Sequence, residues 1–218
     1  MAELRTEEEQ IQAIKNWWKK NGSSLLIGIG AALAIVFGWQ AWQKQQDQQR
    51  SAAAAEFANL LIAYSDQADE SRAETVSYVA SQLQEEFEDS AYAIYGTLIL
   101  AQLQLVELND DSAALASLQW AHERAAGNPA LELVVRSRLA RAQLANGQLD
   151  EALATVRDAS NPSSFKALLA ELEGDILMAQ GDQEAAGEAY LQARQASRTG
   201  RNGVLELKLA DLGIGEGS

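Results

Sequence analysis

The sequence predicts an all-α protein, with a single N-terminal transmembrane helix followed by an α-solenoid of helix pairs. Three observations carry that prediction. The chain of 218 residues holds 40 alanines against two prolines, and alanine loses no side-chain entropy in a helix whereas proline breaks one. The 23 residues between Lys20 and Lys44 carry no charge. Beyond them, turn residues and small residues recur at fixed offsets, spaced by the length of a helix pair.

The uncharged segment comes first. Its apolar centre runs from Leu25 to Phe37, and the whole is long enough to cross a hydrocarbon layer of about 30 Å as a helix. Trp17 and Trp18 flank one side, Trp39 and Trp42 the other. Trp18 and Trp39 stand about 31 Å apart at helical rise, so both pairs of indoles fall at the two interfaces that indoles prefer. A buried core helix and a cleaved signal peptide are the rival readings. Against a signal peptide, about 24 residues precede the apolar run, Glu7, Glu8 and Glu9 among them, and the alanines Ala52–Ala55 lie well beyond its centre. Lys15, Lys19 and Lys20 crowd the N-terminal flank, against Lys44 and Arg50 on the other side. That bias predicts a type II anchor, with the N-terminus cytoplasmic and the acidic part outside the cytoplasmic membrane, in a periplasm if the cell has one. Inside the span, Gly30, Ala34 and Gly38 form a ladder of small residues on one face, which favours close approach of a partner helix; a Gly/Ala-rich composition alone also produces such spacing. Ahead of it, Thr6 and Glu9 make a capping box, and Ile11, Ile14 and Trp18 recur at helical spacing. They read as a short amphipathic helix on the lipid surface or as a docking segment.

Charge separates the two parts of the chain. The net charge is −14, and residues 51–218 hold 11 basic and 26 acidic side chains. Nucleic acid is therefore excluded as a partner, because its binding depends on neutralising phosphates with Lys and Arg. There is no cysteine and only one histidine, His122, which removes disulfides, thiolate metal sites and catalytic triads. His122 is expected on a solvated helix face. Glu85, Glu86, Glu88 and Asp89 read as a solvated helix end, and Asp110-Asp111 lacks the alternating ligand spacing of a calcium loop. No catalytic constellation remains, and neither a cofactor nor a metal is expected.

Turn points fall at Asn109, Gly147 and Gly181, the last two 34 residues apart, which is the tetratricopeptide period. Five residues after each comes Ala114, Ala152 or Ala186; nine after, Leu118, Val156 or Tyr190; twelve after, Ala121, Ala159 or Ala193. The turn residue takes the left-handed conformation that ends a first helix. The alanines then let the second helix pack closely, and the larger residue fills the gap. Seven residues before the turns, Ala140 and Gly174 fill a small position that Gln102 does not. Asn128-Pro129 and Asn161-Pro162 read as caps followed by proline in the first turn. The pairs are expected over 90–127, 128–161 and 162–200, after a degenerate pair, 45–64 with 72–87. Another helical hairpin array is the alternative. Val204–Leu212 reads as a terminal capping helix and 213–218 as a disordered tail. The predicted organisation is thus a cytoplasmic segment over 1–20, a span over 21–43 and a tetratricopeptide-like domain over 44–212.

In stacked pairs the first helices line a concave groove. Counting back from the turns puts Ile99, Leu103 and Val106 there in the first unit, Ser137 and Arg141 in the second, and Glu171 and Asp175 in the third. These are the candidate protein-binding residues. Burial of the three apolar ones by the preceding pair is the alternative.

Several strings carry a resemblance: Glu9-Gln10-Ile11, Ala13-Ile14-Lys15, Trp17-Trp18, Asn21-Gly22 and Gly38-Trp39, with Leu139-Ala140-Arg141, Gly174-Asp175 and Gly181-Asp182 in the repeats. In these and in the order of its parts the chain resembles the ancillary SecYEG translocon subunit family, membrane-anchored tetratricopeptide proteins of Gram-negative bacteria. The resemblance implies a non-enzymatic scaffold in the inner membrane, partnered by the Sec translocon and by a membrane-anchored periplasmic chaperone of the peptidyl-prolyl isomerase type. It implies a role in passing exported proteins onward. A membrane-anchored adaptor for another envelope-assembly or division complex is the other functional class.

Overall fold

The computed structural model describes residues 7–159, 165–197 and 203–215. Among them are nine α-helices and no strand: α1 (Glu7–Ser65), α2 (Arg72–Glu86), α3 (Ala91–Val106), α4 (Asp111–Arg124), α5 (Pro129–Ala145), α6 (Leu149–Arg157), α7 (Lys166–Gln180), α8 (Gln183–Ala196) and α9 (Gly203–Asp211). The chain divides into two units, Met1–Ala52 and Ala53–Ser218.

The first unit consists of the long N-terminal stretch of α1. Leu26, Ile27, Ile35 and Phe37 are 59–73% exposed there among the described residues. Surface of that kind is stable only against another apolar phase, and α1 is long and apolar enough to supply a membrane span. Among the described residues the amphipathic stretch expected ahead of the span is not set off as a short helix of its own, and Thr6 of the expected capping box lies outside them. Ile11, Ile14 and Trp18 lie on the same unbroken helix, which runs through Asn21 and Gly22. Two local contacts lie at this point of the helix. The Asn21 side chain donates to the Trp17 carbonyl at 3.1 Å, and the Trp18 ring lies 3.2 Å from where a Gly22 Cβ would stand.

In the second unit the helix ends follow the turn chemistry. Asn109, Gly147, Gly181 and Gly213 all have positive φ, from 51° to 87°. After three of them the same six-to-one bond closes the helix: Gln148 N–H to Gln143 O at 2.9 Å, Asp182 N–H to Leu177 O at 3.0 Å, Ile214 N–H to Leu209 O at 2.9 Å. Side chains cap α4, α5 and α8, whereas α6, after Gly147, begins without a side-chain cap. Asp110 accepts from Ala113 N–H at 2.9 Å and Asp182 from Ala185 N–H at 3.0 Å. Asn128 accepts from Leu131 N–H at 3.3 Å, ahead of Pro129 at the start of α5. The Asn161-Pro162 cap lies outside the described residues.

Helices then pack in chain order, α3 on α4, α5 on α6 and α7 on α8, with α5 also against α7. Ala114, Ala152 and Ala186 are wholly buried, and Leu118, Val156 and Tyr190 nearly so. A Cβ at Gly174 would collide with the Tyr190 ring, which is why that position is small. In the first pair the small position is Ala101, not Gln102: Ala101 is buried with Leu118 and Ala121, whereas Gln102 is exposed. The α3–α4 link of residues 107–110 is longer than the α5–α6 link of 146–148. The register of α3 is therefore one residue off the count from its turn.

The segment 53–65 of α1 covers α2 and α3, burying Ala53 and Leu60. Arg72 closes its C-terminal end by donating to the Tyr64 carbonyl at 3.1 Å and pairing with Glu107. At the other end the expected tail is ordered over its first residues. Ile214 packs on α8 over Gly187, where a Cβ would meet its side chain; residues 216–218 lie outside the described part.

Candidate protein-binding groove

The sequence-predicted binding residues separate into two sets. Leu103 is wholly buried, packed with Leu60, Val76 and Leu83, and Ile99 is half-buried against the same cluster. Ser137 is also buried, its hydroxyl donating to the Val134 carbonyl at 2.9 Å. These three are corrections to the expected groove surface. Ile99 and Leu103 are instead covered by the preceding helices, α1 and α2, as the alternative reading had it, and the one-residue offset in α3 turns them that way. Val106 stays 63% exposed.

The structure does bring Arg141, Glu171 and Asp175 together. They line one groove of about 480 Å³ with Leu168, Leu205 and Lys208. α5 supplies Arg141, α7 the two acids and Leu168, and α9 supplies Leu205 and Lys208. Glu171 and Asp175 are one helical turn apart on α7, and the Lys208 ammonium bridges them, at 2.8 Å from Glu171 Oε1 and 2.7 Å from Asp175 Oδ1. Tyr190 donates its hydroxyl to Asp175 Oδ1 at 2.9 Å, and Lys208 lies 5.6 Å from the Tyr190 ring centroid. Burial opposes the charge on Lys208, but the bonds to Asp175 and Glu171 outweigh it and hold its pKa above the ordinary lysine range. Burial, and then the bond to Asp175, push the Tyr190 phenol well above its usual value. At neutral pH Lys208 is thus an ammonium, and Tyr190 remains a donor. Arg141 forms no ion pair among the described residues and is exposed at the rim. Its guanidinium presents a fork of donors suited to a carboxylate. Sequence reasoning missed Lys208. The signal lay in Gly213, a fourth turn 32 residues after Gly181, which marks α9 as one more first helix.

Three other predicted features have definite surroundings. Glu88 pairs with Arg124 at 3.2 Å, and no group of three or more acids or histidines able to hold a metal occurs among the described residues. His122 is not on a solvated face: its Nδ1 is enclosed without a hydrogen-bond partner. Burial, followed by the Arg136 guanidinium, lowers its pKa. Arg136 is itself buried, pairing with Glu132 and donating to the Thr155 carbonyl at 2.8 Å. Gly30 and Gly38 have open space where a Cβ would stand, so with Ala34 they leave a flat strip on α1.

Helix pairs with these turns, alanine columns and a groove lined by first helices define a tetratricopeptide repeat-like protein, and the family of that description matches residues 15–214. The match extends to whole proteins. The chain is 32% identical over 212 residues to the ancillary SecYEG translocon subunit of Haemophilus influenzae, covering 97% of this chain and all of that protein. The protein of the same name from Aggregatibacter actinomycetemcomitans is 31% identical over 214 residues, with 97% of this chain and all of the relative covered. That of Escherichia coli is 29% identical over 210 residues, with 95% and 97% covered. The chain belongs to the ancillary SecYEG translocon subunit family.

Proposed function

We propose that this chain is a non-enzymatic inner-membrane scaffold that associates with the Sec translocon and with a membrane-anchored periplasmic chaperone of the peptidyl-prolyl isomerase type, assisting proteins as they are exported. The observation that carries the reading is similarity over nearly the whole length, anchor and repeats together, to proteins named ancillary SecYEG translocon subunits. In this reading residues 1–20 are cytoplasmic, 21–43 cross the membrane and 44–212 are periplasmic. The lysines at 15, 19 and 20 support that orientation. The strip of Gly30, Ala34 and Gly38 packs against a partner span, and lipid covers the rest of that helix. The groove around Arg141, Glu171 and Asp175, with Val106 further along, receives the chaperone. Arginine is among the residues enriched at the energetic centres of interfaces.

The test is co-purification of the tagged chain after mild detergent extraction. Recovery of SecYEG together with such a chaperone is expected; recovery of a different envelope complex with no translocon subunit overturns the reading. A reporter active only outside the cytoplasm, fused after Gly215, is expected to be active.

A further inference from the structure

The geometry points to α9 as a displaceable latch, occupying a seat on α7 and α8 that a lysine-bearing amphipathic helix of a partner protein takes in its place. The inference rests on the adaptor reading above and names the chemistry of one of its partners. α9 and the residue after it contact the domain through a stripe, Leu205, Lys208, Leu209 and Leu212, at the i, i+3, i+4, i+7 spacing of a helix face. Leu205 is 3% exposed and Leu209 wholly buried, while Lys208 bridges Glu171 and Asp175. The opposite face carries Leu207, 67% exposed.

Two features make this attachment exchangeable. α9 has nine residues, below the length at which an isolated helix holds itself together in water, so its helicity depends on docking. Its contact with α8 is small beside that between α7 and α8, and its polar anchors are the partly exposed Lys208 and one long ion pair, Glu206 with Arg194 of α8 at 3.7 Å. The seat has a definite chemistry. It offers two carboxylates backed by the Tyr190 hydroxyl, set between apolar side chains that enclose Leu205 and Leu209. α9 is the template of what fits: a helix with leucine three residues before and one residue after a lysine. The groove continues past α9 to Arg141, so a longer partner helix with an acidic residue beyond that lysine gains a contact α9 lacks.

The experiment uses the full chain in detergent and a fluorescent peptide with the sequence of residues 203–215. The tethered α9 competes at high effective concentration, so the peptide is expected to bind wild-type protein weakly. It is expected to bind Lys208→Ala or Leu209→Asp protein at least tenfold tighter. A peptide carrying Lys208→Glu is expected to lose that gain. Equal affinity for wild type and both variants, equal binding of the two peptides, or concentration-dependent dimerisation of the variants overturns the proposal, the last by making α9 an element exchanged between copies. A measurement on wild type stands independently of the variants. Amides of α9 are expected to exchange with solvent at least tenfold faster than those of α7 and α8, and equal protection overturns the latch. Failure of the latch leaves recovery of the translocon untouched, whereas a lost translocon leaves peptide binding as it was.

Discussion

Gly174 shows how much one hydrogen atom decides. Its missing side chain makes room for the Tyr190 ring, whose hydroxyl bonds Asp175 at 2.9 Å. Gly174→Ala regains up to about 1 kcal/mol of helix propensity but overpacks the helix pair at a cost of about 1–3 kcal/mol. A lower melting temperature with unchanged helical content at 20 °C is expected, and a raised one would refute the contact. His122 belongs to the same scale. Burial and Arg136 lower its pKa in the fold, so the fold prefers neutral imidazole. Its contribution is fully present above the unfolded value of about 6.5 and is lost as pH falls through the lower folded value. The drop in melting temperature from pH 7 to pH 5 is therefore expected to be smaller in His122→Gln than in wild type. Equal drops would remove His122 from the acid response. The sequence showed this histidine between Ala121 and Glu123, and nothing local revealed that α5 would enclose it.

At the scale of the element, α3 carries the main difference between expectation and structure. Spacing correctly located its ends: Ser90 caps one, and Asn109 takes positive φ after the other. The face it presents did not follow, because the linker of residues 107–110 offsets the count by one residue. The variants Leu103→Asp and Val106→Asp separate the two registers. Leu103 is wholly buried, and truncating such a leucine alone costs about 2–5 kcal/mol, so a charge there is expected to unfold the α2–α3 region. Val106→Asp, on the exposed side, is expected to change stability by no more than about 0.5 kcal/mol. Chemical denaturation read by circular dichroism decides the matter; similar midpoints for the two variants would refute the register. α5 and α7 have shorter links, and there the count from the turn brought Arg141, Glu171 and Asp175 to one groove but put Ser137 on a face that is buried.

For the whole molecule, the predictions concern association. Arg141→Glu is expected to weaken binding of the chaperone's periplasmic part at least fivefold while helicity stays intact, because an exposed, unpaired charge contributes little to stability. Unchanged affinity in titration calorimetry would move that interface off the groove. Gly30→Leu with Ala34→Leu keeps the span apolar but fills its flat strip. Insertion should persist while translocon recovery falls, and undiminished recovery would make the ladder mere composition. The sequence alone determined the helical class, the apolar stretch of α1, the turns at Asn109, Gly147 and Gly181, and the repeat columns. Each of these depends on local chemistry: side-chain entropy, hydropathy along one helix, or a backbone angle that glycine and asparagine tolerate. Tertiary structure decided which face of α3 is covered, that His122 and Arg136 are enclosed, and that Lys208 reaches the α7 carboxylates 33 and 37 residues away. Those outcomes depend on how one helix is rotated against the next. A single linker residue resets that rotation without altering the pattern of either helix.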